Sequence, residues 1–546
     1  MRILILGGGV MQLPAVRLAK GKGWTVVVAA AAIDEEIEAL ADRCELADLR
    51  DREEVARLAL AVKQDAGLDG VFTAGTDFST TVAWVAEQAK LPGIPYASAL
   101  AATDKSLMRR AFRAHGVPSP EFFTAEEPSG YPPPGFSFPL VVKPVDNMGA
   151  RGVRRVDSQE QLLQALEAAL EQSACGKAIV ERYLEGPELS LDAVVYDGTV
   201  TVCGVADRHI CFPPYFVEMG HTMPTVLDEE KVRLAEEVFE RGIRALGISR
   251  GAAKGDIKIT PDGPVVGEIA ARLSGGYMSG WTFPFASGVE VTEAALNIAV
   301  GLPPGDLTPK RRWVSAERAF ISIPGTVKAL EGLQAARALP CIEELFVRVS
   351  PGGRVQLPIN NMGKCGNLIS KAASREQSVE AVQQAVQSVL VRLEACDPRT
   401  DAYLAGEERN GFSAFSRISL ETERAVGELP AWVGDPELFG RKTGHLRVLP
   451  LRGAGRESER DWHGWSLQDA LRRVLEITKV RQSNGRQAVG SPSALRKSEP
   501  APGTLLLGRV FWKALVRGGV QAGVYVIDTL CDPAASPKQV LRRWSA

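Results

Sequence analysis

Short continuous apolar runs alternate with amphipathic stretches through residues 1–100. RILIL (2–6) reads as a buried strand entering the glycine turn Gly7–Gly9, and QLPAVRLAKGKG (12–23) as a helix stopped by glycines. WTVVVAAA (24–31) is a second buried strand, and GVFTAGTDF (70–78) another that ends in a polar loop. Apolar strands without polar alternation, joined by helices, predict a parallel sheet covered on both faces. Ligands of such sheets lie beyond the carboxyl ends of the strands, which sets Gly7–Gly9, Thr76, Asp77 and Ser79 beside a crevice. The glycines are not a dinucleotide fingerprint, because Gln12 stands where the last glycine belongs; a tight turn facing some other ligand is the better reading.

Beyond residue 100 the pattern changes. A helix is expected over 102–116, capped by Thr103 or Asp104 and broken by VPSP, followed by a Pro-rich loop at 126–138. PLVVKPVDNMGARGV (139–153) reads as a strand, a lysine and a glycine-bearing loop; a helix (158–172) and a strand (177–184) follow. Residues 186–209 read as a hairpin turning at Asp197-Gly198. A helix (228–246) precedes a second hairpin, GDIKITPDGPVVGEIA (255–270). Residues 313–395 read as an α/β lobe with strands near FVRVS and NLISKAAS and a helix over 376–395.

Composition adds bounds. A chain of 546 residues suggests several domains at about 150 residues each, and 45% hydrophobic with 24% charged residues is ordinary globular composition. A net charge of -2 gives no global pull toward nucleic acid or membrane. The eight cysteines form no CxxC pair, so zinc-site and disulfide-framework readings lack support and a reducing cytoplasm fits best. The apolar run before Gly7 is too short for a signal peptide, and no stretch reaches the ~18 apolar residues of a membrane span. The protein is therefore expected to be soluble and cytoplasmic. Residues 451–546 carry 16 Lys and Arg against 8 Asp and Glu. Within them 480–503 reads as a flexible linker, and TLLLGRVFWKALV and AGVYVIDTL beyond it are apolar enough to pack on a folded unit. The basic excess carries no aromatic–basic motif, which argues against nucleic acid.

The chemistry concentrates in a few stretches. With a three-residue turn at 261–263, Thr260 faces Pro264 and Asp256 stands opposite Glu268, with Cβ atoms about 5 Å apart. Two carboxylates so close need a cation: either a divalent metal, for which hard oxygen ligands suit Mg²⁺ or Mn²⁺, or Lys258 on the same face. From the hairpin alone the metal pair and a Lys–Asp–Glu surface cluster stand level. In GEIAARLSGG (267–276), Arg272 follows Glu268 by four residues and Gly275 and Gly276 close the stretch; a surface Glu–Arg helix pair is the plain alternative. Lys143 ends a strand, and Gly149 and Gly152 let backbone N–H groups close over an anion, with Lys143 and Arg151 supplying charge. Lys105 sits in the first turn of its helix, where the dipole disfavours a cation. VERYLEGPELS (180–190) offers an edge backbone and acids at 181 and 188 that can hold a purine amino group and ribose hydroxyls. VADRHICFPPYFVEMGHTMPT (205–225) is a Pro-rich aromatic loop carrying Glu218 and His221; a lid loop with a solvated polar pair is the alternative.

The ordered set DKSLMRR, PLVVKPVDNMGARGV, VERYLEGPELSLD and GDIKITPDGPVVGEIAARLSGG resembles the ATP-grasp superfamily of carboxylate–amine ligases over about residues 1–396. PGGRVQLPINNMGKCGNLISKAASREQSVEAVQQA (351–385) is similar to the lobe that follows the grasp, and the 205–225 loop to the substrate loop of L-amino-acid (dipeptide) ligases. The resemblance implies a Rossmann-like parallel sheet (1–100), an ATP-grasp core of two α+β subdomains (101–310), a following α/β lobe (311–400) and an accessory basic region (401–546). It implies ATP phosphates on Lys105 and Lys143 under the 146–152 loop with Met148, Gly149 and Gly152. It implies adenine on Glu181, Arg182, Tyr183 and Leu184, ribose on Glu188, and Mg²⁺ or Mn²⁺ on Asp256 and Glu268. Arg272 would steady an acyl phosphate, and Glu218, His221, Gly275 and Gly276 would border the carboxylate and amine substrates. The family usually reads E-I-N-P-R, its Asn a further metal ligand; here Ala270 cannot coordinate. Homodimerisation through the α/β lobes is also implied. Two other classes keep a place: a carboxylase-like or purine-pathway enzyme activating bicarbonate or formate, and a non-catalytic nucleotide-binding regulatory module.

Overall fold

The computed structural model describes residues 1–128, 132–407, 412–436, 445–451, 459–483 and 504–545. Residues 129–131 of the Pro-rich loop and 484–503 of the expected linker lie outside the described residues. The chain divides into two compact units: Met1–Arg318 with Ile359–Met362 and Ile369–Val379, and Ala319–Pro358 with Gly363–Leu368 and Glu380–Ala546.

In the first unit the expected parallel sheet is present. Strands Arg2–Leu6, Thr25–Ala30, Arg43–Leu46 and Gly70–Phe72 lie in the order 43–46, 25–30, 2–6, 70–72, all parallel. Leu4, Leu6, Val27 and Val71 pack against helix Arg52–Ala66 on one face, while Ile3, Ile5, Val26 and Val28 pack toward helices Leu13–Gly21 and Val291–Ala299 on the other. Two buried faces explain why these strands read as unbroken apolar runs. Gly8 is required at its turn: a Cβ there would lie 2.3 Å from the carbonyl oxygen of Ala32. Gln12 is buried, and its amide exchanges two hydrogen bonds with the Ala74 backbone, at 2.6 and 3.0 Å.

A smaller antiparallel sheet orders strands Phe122–Ala125, Ala178–Arg182, Leu140–Pro144 and Arg154–Val156, with helix Gln159–Gln172 packed on it. A larger antiparallel array runs Gly263–Ala270, Gly251–Thr260, Glu188–Tyr196, Thr199–Cys211, Val217–Met223, then residues 315–318. Helix Glu229–Ala245 buries Phe239 and Ile243 in the core shared with its strands. The hairpin at Asp197-Gly198 forms as expected, with both turn residues at positive φ (48° and 78°) matching the right-handed strand twist. The helix expected over 102–116 is two helices, Tyr96–Thr103 and Lys105–Ala114. Asp104 caps the second, accepting from the backbone of Ser106 and Leu107 at 2.7 and 3.0 Å.

In the second unit the helix expected over 376–395 stops at Ser388, and Leu390–Leu393 pairs as a strand with Gly325–Glu331. The run Val389, Leu390, Val391 is buried and rich in branched side chains, and burial in a sheet overrides the helical reading. The apolar segments near the C-terminus form strand Leu505–Leu507 and helix Arg509–Cys531, largely buried and interrupted at Gly518 and Gly519. Arg392 grips Asp528 of that helix with two hydrogen bonds, at 2.7 and 2.8 Å, and Tyr525 donates to Asp401 at 2.8 Å. Residues 504–531 thus belong to the core of this unit. No helix among the described residues is long and apolar enough to cross a membrane.

Candidate active site

The site lies in the first unit and grows from the hairpin Gly251–Thr260/Gly263–Ala270. Asp256 pairs with Glu268 as expected, but by another route. The turn has two residues, not three: Thr260 faces Gly263, and a bulge between Asp256 and Ile257 restores the pairing. The cation expected beside Asp256 is not Lys258, which lies 3.3 Å from Glu188. Lys254 and Arg208 take that place, Lys254 in direct contact with the carboxylate and Arg208 at 3.1 Å. Lys105 Nζ stands 3.8 Å from Glu268. Burial works to raise the Asp256 and Glu268 carboxyls, yet Arg208 and Lys254 at the first, and Lys105 and Lys254 at the second, hold both below the ordinary range. Both are carboxylates at neutral pH. Asp256 Oδ1 is buried with no hydrogen-bond partner.

That orphaned oxygen, opposite a second carboxylate, fits a hard divalent cation. Asp256 and Glu268 are the pair that would hold one. Among the described residues no group of three or more His, Cys, Asp or Glu is arranged for a metal, so the remaining oxygens would come from a bound phosphate or water.

Lys105 and Arg109 share one face of helix Lys105–Ala114. Lys105, only 4% exposed, donates to the carbonyl of Asn147 at 2.8 Å, which ties it to the 146–152 loop. Gly149 and Gly152 adopt positive φ (65° and 69°), so the loop needs both. The carboxylate of Glu181 is fully engaged: Arg109 Nε and Lys143 Nζ each donate to one oxygen at 2.7 Å. Burial would raise this carboxyl, but the two cations lower it to about 2. What residues 181–184 can offer a purine is therefore backbone and the Tyr183 and Leu184 side chains, not the Glu181 carboxylate. Arg182 is exposed and turned toward Gly135 and Glu121. Tyr183 lies under the Arg155 guanidinium, 4.6 Å from ring centre to carbon.

Arg208 was not legible as a site residue, and it joins the parts. Its guanidinium contacts Glu188, Asp256 and, at 3.0 Å, Glu218. Burial disfavours its charge, but these three carboxylates raise its pKa well above the ordinary value. Glu218 and His221 come together, with His221 Nε2 3.6 Å from Glu218 Oε2. Gly276 abuts both: a Cβ there would lie 2.6 Å from Glu218 Oε1 and 3.1 Å from the His221 ring. Gly275 packs against Gly75. Arg272 reaches the crevice of the parallel sheet: Nε donates to the Thr76 carbonyl at 3.0 Å and Nη2 approaches Met148 Sδ at 3.4 Å. Arg151 of the loop pairs with Asp77. Asn361 bridges the loop to the Glu218 strand, its N–H on the Gly149 carbonyl at 3.0 Å and its Oδ1 accepting from Glu218 N at 2.9 Å. Thr76 and Asp77 do border the site.

Comparison with known proteins decides what carries this arrangement. A family model for the ATP-grasp domain matches residues 136–280. This chain carries an ATP-grasp domain. A second model, L-amino acid ligase C-terminal domain 2, matches residues 319–394. An uncharacterised protein of Sinorhizobium fredii is 26% identical over 326 residues, covering 59% of this chain and 67% of that one. Carnosine synthase 1 of Gallus gallus is 28% identical over 260 residues, covering 44% of this chain. The chain spans only 27% of that synthase's length. The solved L-amino acid ligase of Bacillus licheniformis has the same fold over 72% of this chain and 98% of its own, with a TM-score of 0.65 at 21% identity. The bulge-set carboxylate pair, Arg208 and the Glu218–His221 pair all sit within or beside the ATP-grasp match.

Proposed function

We propose that this protein is an ATP-dependent ligase that joins a carboxylate to an amine, its substrates being amino acids. The observation that supports this most is the unbroken chain of contacts from Glu188 through Arg208 to Asp256 and Glu218. One guanidinium thereby touches Glu188, proposed for the ribose, Asp256 of the carboxylate pair, and Glu218, the neighbour of His221. The match at 319–394 to the L-amino acid ligase C-terminal domain 2, and the likeness to a solved L-amino acid ligase, favour amino acids over other carboxylates.

In this reading ATP lies with its base along 182–184, its ribose at Glu188 and its phosphates under the 146–152 loop near Lys105 and Lys143. Asp256 and Glu268 would hold Mg²⁺ or Mn²⁺, which supplies positive charge against the phosphates. An oxygen of the first substrate's carboxylate bonds to the γ-phosphorus as its bond to the ADP oxygen breaks. Arg272 faces the acyl phosphate that results, and its fixed guanidinium neutralises charge developing on that oxygen. Glu218 receives the ammonium of an amino acid beside Gly276. The second substrate's amine nitrogen bonds to the acyl carbon and phosphate leaves. Of the two protons the nitrogen sheds, one ends on the phosphate and one passes through His221 to solvent.

The test is phosphate release from ATP and Mg²⁺ across single amino acids, amino-acid pairs and bicarbonate, with mass spectrometry of products. Release that needs amino acids, with a condensed product lost in Arg272→Ala and Glu268→Gln, supports the ligase. Release stimulated by bicarbonate alone, or ATP binding without turnover for any acid, overturns it.

A further inference from the structure

Glu317 has no part in that scheme, yet its placement is specific. Its side chain is completely buried on strand Val314–Phe320, directly across from His221 in the antiparallel register. Its Oε2 lies 3.0 Å from His221 Nδ1. Arg318 next to it secures the pairing, donating to the carbonyls of His221 and Glu317 at 3.0 and 2.8 Å and to Thr222 Oγ1 at 3.1 Å. On the other side of the ring, Nε2 faces Glu218 at 3.6 Å, beyond hydrogen-bond distance. Glu218 Oε2 already accepts from Arg208 at 3.0 Å.

A carboxylate only accepts, so the ring nitrogen at 3.0 Å from Glu317 is the one that carries hydrogen. In neutral imidazole the other nitrogen then keeps its lone pair. We propose that Glu317 is a positioning residue that holds His221 in the Nδ1–H form, so that Nε2 is the bare nitrogen that takes a proton from the amine held at Glu218. This rests on the amino-acid ligase reading. Without Glu317 the preference reverses: Nε2–H would turn its hydrogen to the Glu218 carboxylate and no acceptor would face the amine.

Glu317→Gln is the decisive variant because it keeps the volume. Its amide NH₂ can donate to Nδ1, which moves the ring hydrogen to Nε2. The full chain is labelled with ¹⁵N-imidazole histidine; with five histidines in the sequence, His221→Gln assigns the signal. The unmodified protein is expected to show His221 as the Nδ1–H tautomer and Glu317→Gln to show it as Nε2–H. kcat for amino-acid-dependent phosphate release should fall about 10²-fold, the scale of losing one general base. KM for ATP should stay within about twofold, as the nucleotide does not touch this pair. Adding Glu317→Gln to His221→Gln should cost nothing more, as residues acting as one unit are not additive. Glu317→Asp, which keeps the charge, should recover part of the rate. An Nε2–H tautomer in the unmodified protein, an unchanged kcat in Glu317→Gln, or an equal further loss in the His221→Gln background overturns the assignment. If the unmodified protein releases no phosphate with any amino acid, both readings fall. If it does and Glu317→Gln is as fast, only the positioning role falls.

Discussion

Glu181 carries an electrostatic effect whose sign and size can be read from its surroundings. Its carboxylate is buried, with Arg109 Nε and Lys143 Nζ each at 2.7 Å. The fall of its pKa from 4.5 to about 2 corresponds to about 3 kcal/mol of stabilisation at neutral pH. Replacing it by Gln removes that and leaves Arg109 and Lys143 without the carboxylate that pairs them, a loss on the order of 3–5 kcal/mol. The sign with pH follows from a depressed carboxyl. The contribution is complete above the ordinary value of 4.5 and disappears as pH falls through about 2. Glu181→Gln should therefore melt well below the unmodified protein at pH 7, and the gap should narrow steadily below pH 4.5. Calorimetry at several pH values reads the shift directly. ATP binding should weaken as well, because Lys143 loses the group that holds it. A variant within about 0.5 kcal/mol of the unmodified protein at pH 7, or a gap that widens on acidification, would refute the charge argument.

Lys254 contacts Asp256 and competes with any divalent cation for it; Lys254→Met should bind Mn²⁺ several-fold more tightly by isothermal titration without nucleotide, and equal affinity would count against the metal assignment. Gly276→Ala combines a strained φ of +61° with a Cβ 2.6 Å from Glu218 Oε1. It should abolish amino-acid stimulation of phosphate release while leaving ATP affinity unchanged, checked by nucleotide titration. In the second unit burial pushes the Asp461 carboxyl up to about 7, and its Oδ2 has no hydrogen-bond partner. The folded state then binds a proton the unfolded chain has shed, so stability falls as pH rises from 3.8 to about 7. Asp461→Asn should raise the melting temperature at pH 8 and leave it unchanged at pH 3.5, as followed by calorimetry.

Where many of the candidate residues lie was legible because their placement is tied to local pattern. Lys105 follows a capping Asp104, Lys143 ends an apolar strand ahead of glycines, and Glu268 and Arg272 close a hairpin. Each is fixed within a dozen residues of chain. What was not legible depends on pairing between distant strands. Arg208 meets Glu188 because Thr199–Cys211 and Glu188–Tyr196 are a hairpin, but it meets Asp256 only because a third strand lies beside them. Glu317 meets His221 across 96 residues of sequence, and Asn361 meets Glu218 across 143. Near the end of the chain the apolar segments 504–516 and 522–530 were legible as stretches that pack on a folded unit, and they are buried; their partners, such as Arg392 and Asp401, were not legible, because only the folded unit supplies them.

The hairpin shows how little local error such a site tolerates. A two-residue turn with regular pairing sets Thr260 against Gly263 and Ile257 against Val266, and the next pair would be Asp256 with Gly267. Glu268 would then point to the opposite face, since side chains alternate with a period of two. The bulge inserts one residue, Gly267, and every pair beyond it shifts: Asp256 meets Glu268, Gly255 meets Ile269 and Lys254 meets Ala270. Glycine suits that position, as a Cβ would come within 3.1 Å of the Asp256 carbonyl oxygen. Its own carbonyl, freed from the ladder, accepts from Arg109 Nη2 at 2.5 Å. Arg109 is the residue that also holds Glu181. One irregular residue thus aligns the carboxylate pair and anchors the helix that carries Lys105. Bulges gather beside active sites because they re-aim side chains without disturbing the rest of the sheet. Here the same irregularity sets the carboxylate pair and Lys105 in a fixed relation, the relation on which the proposed phosphoryl transfer would depend.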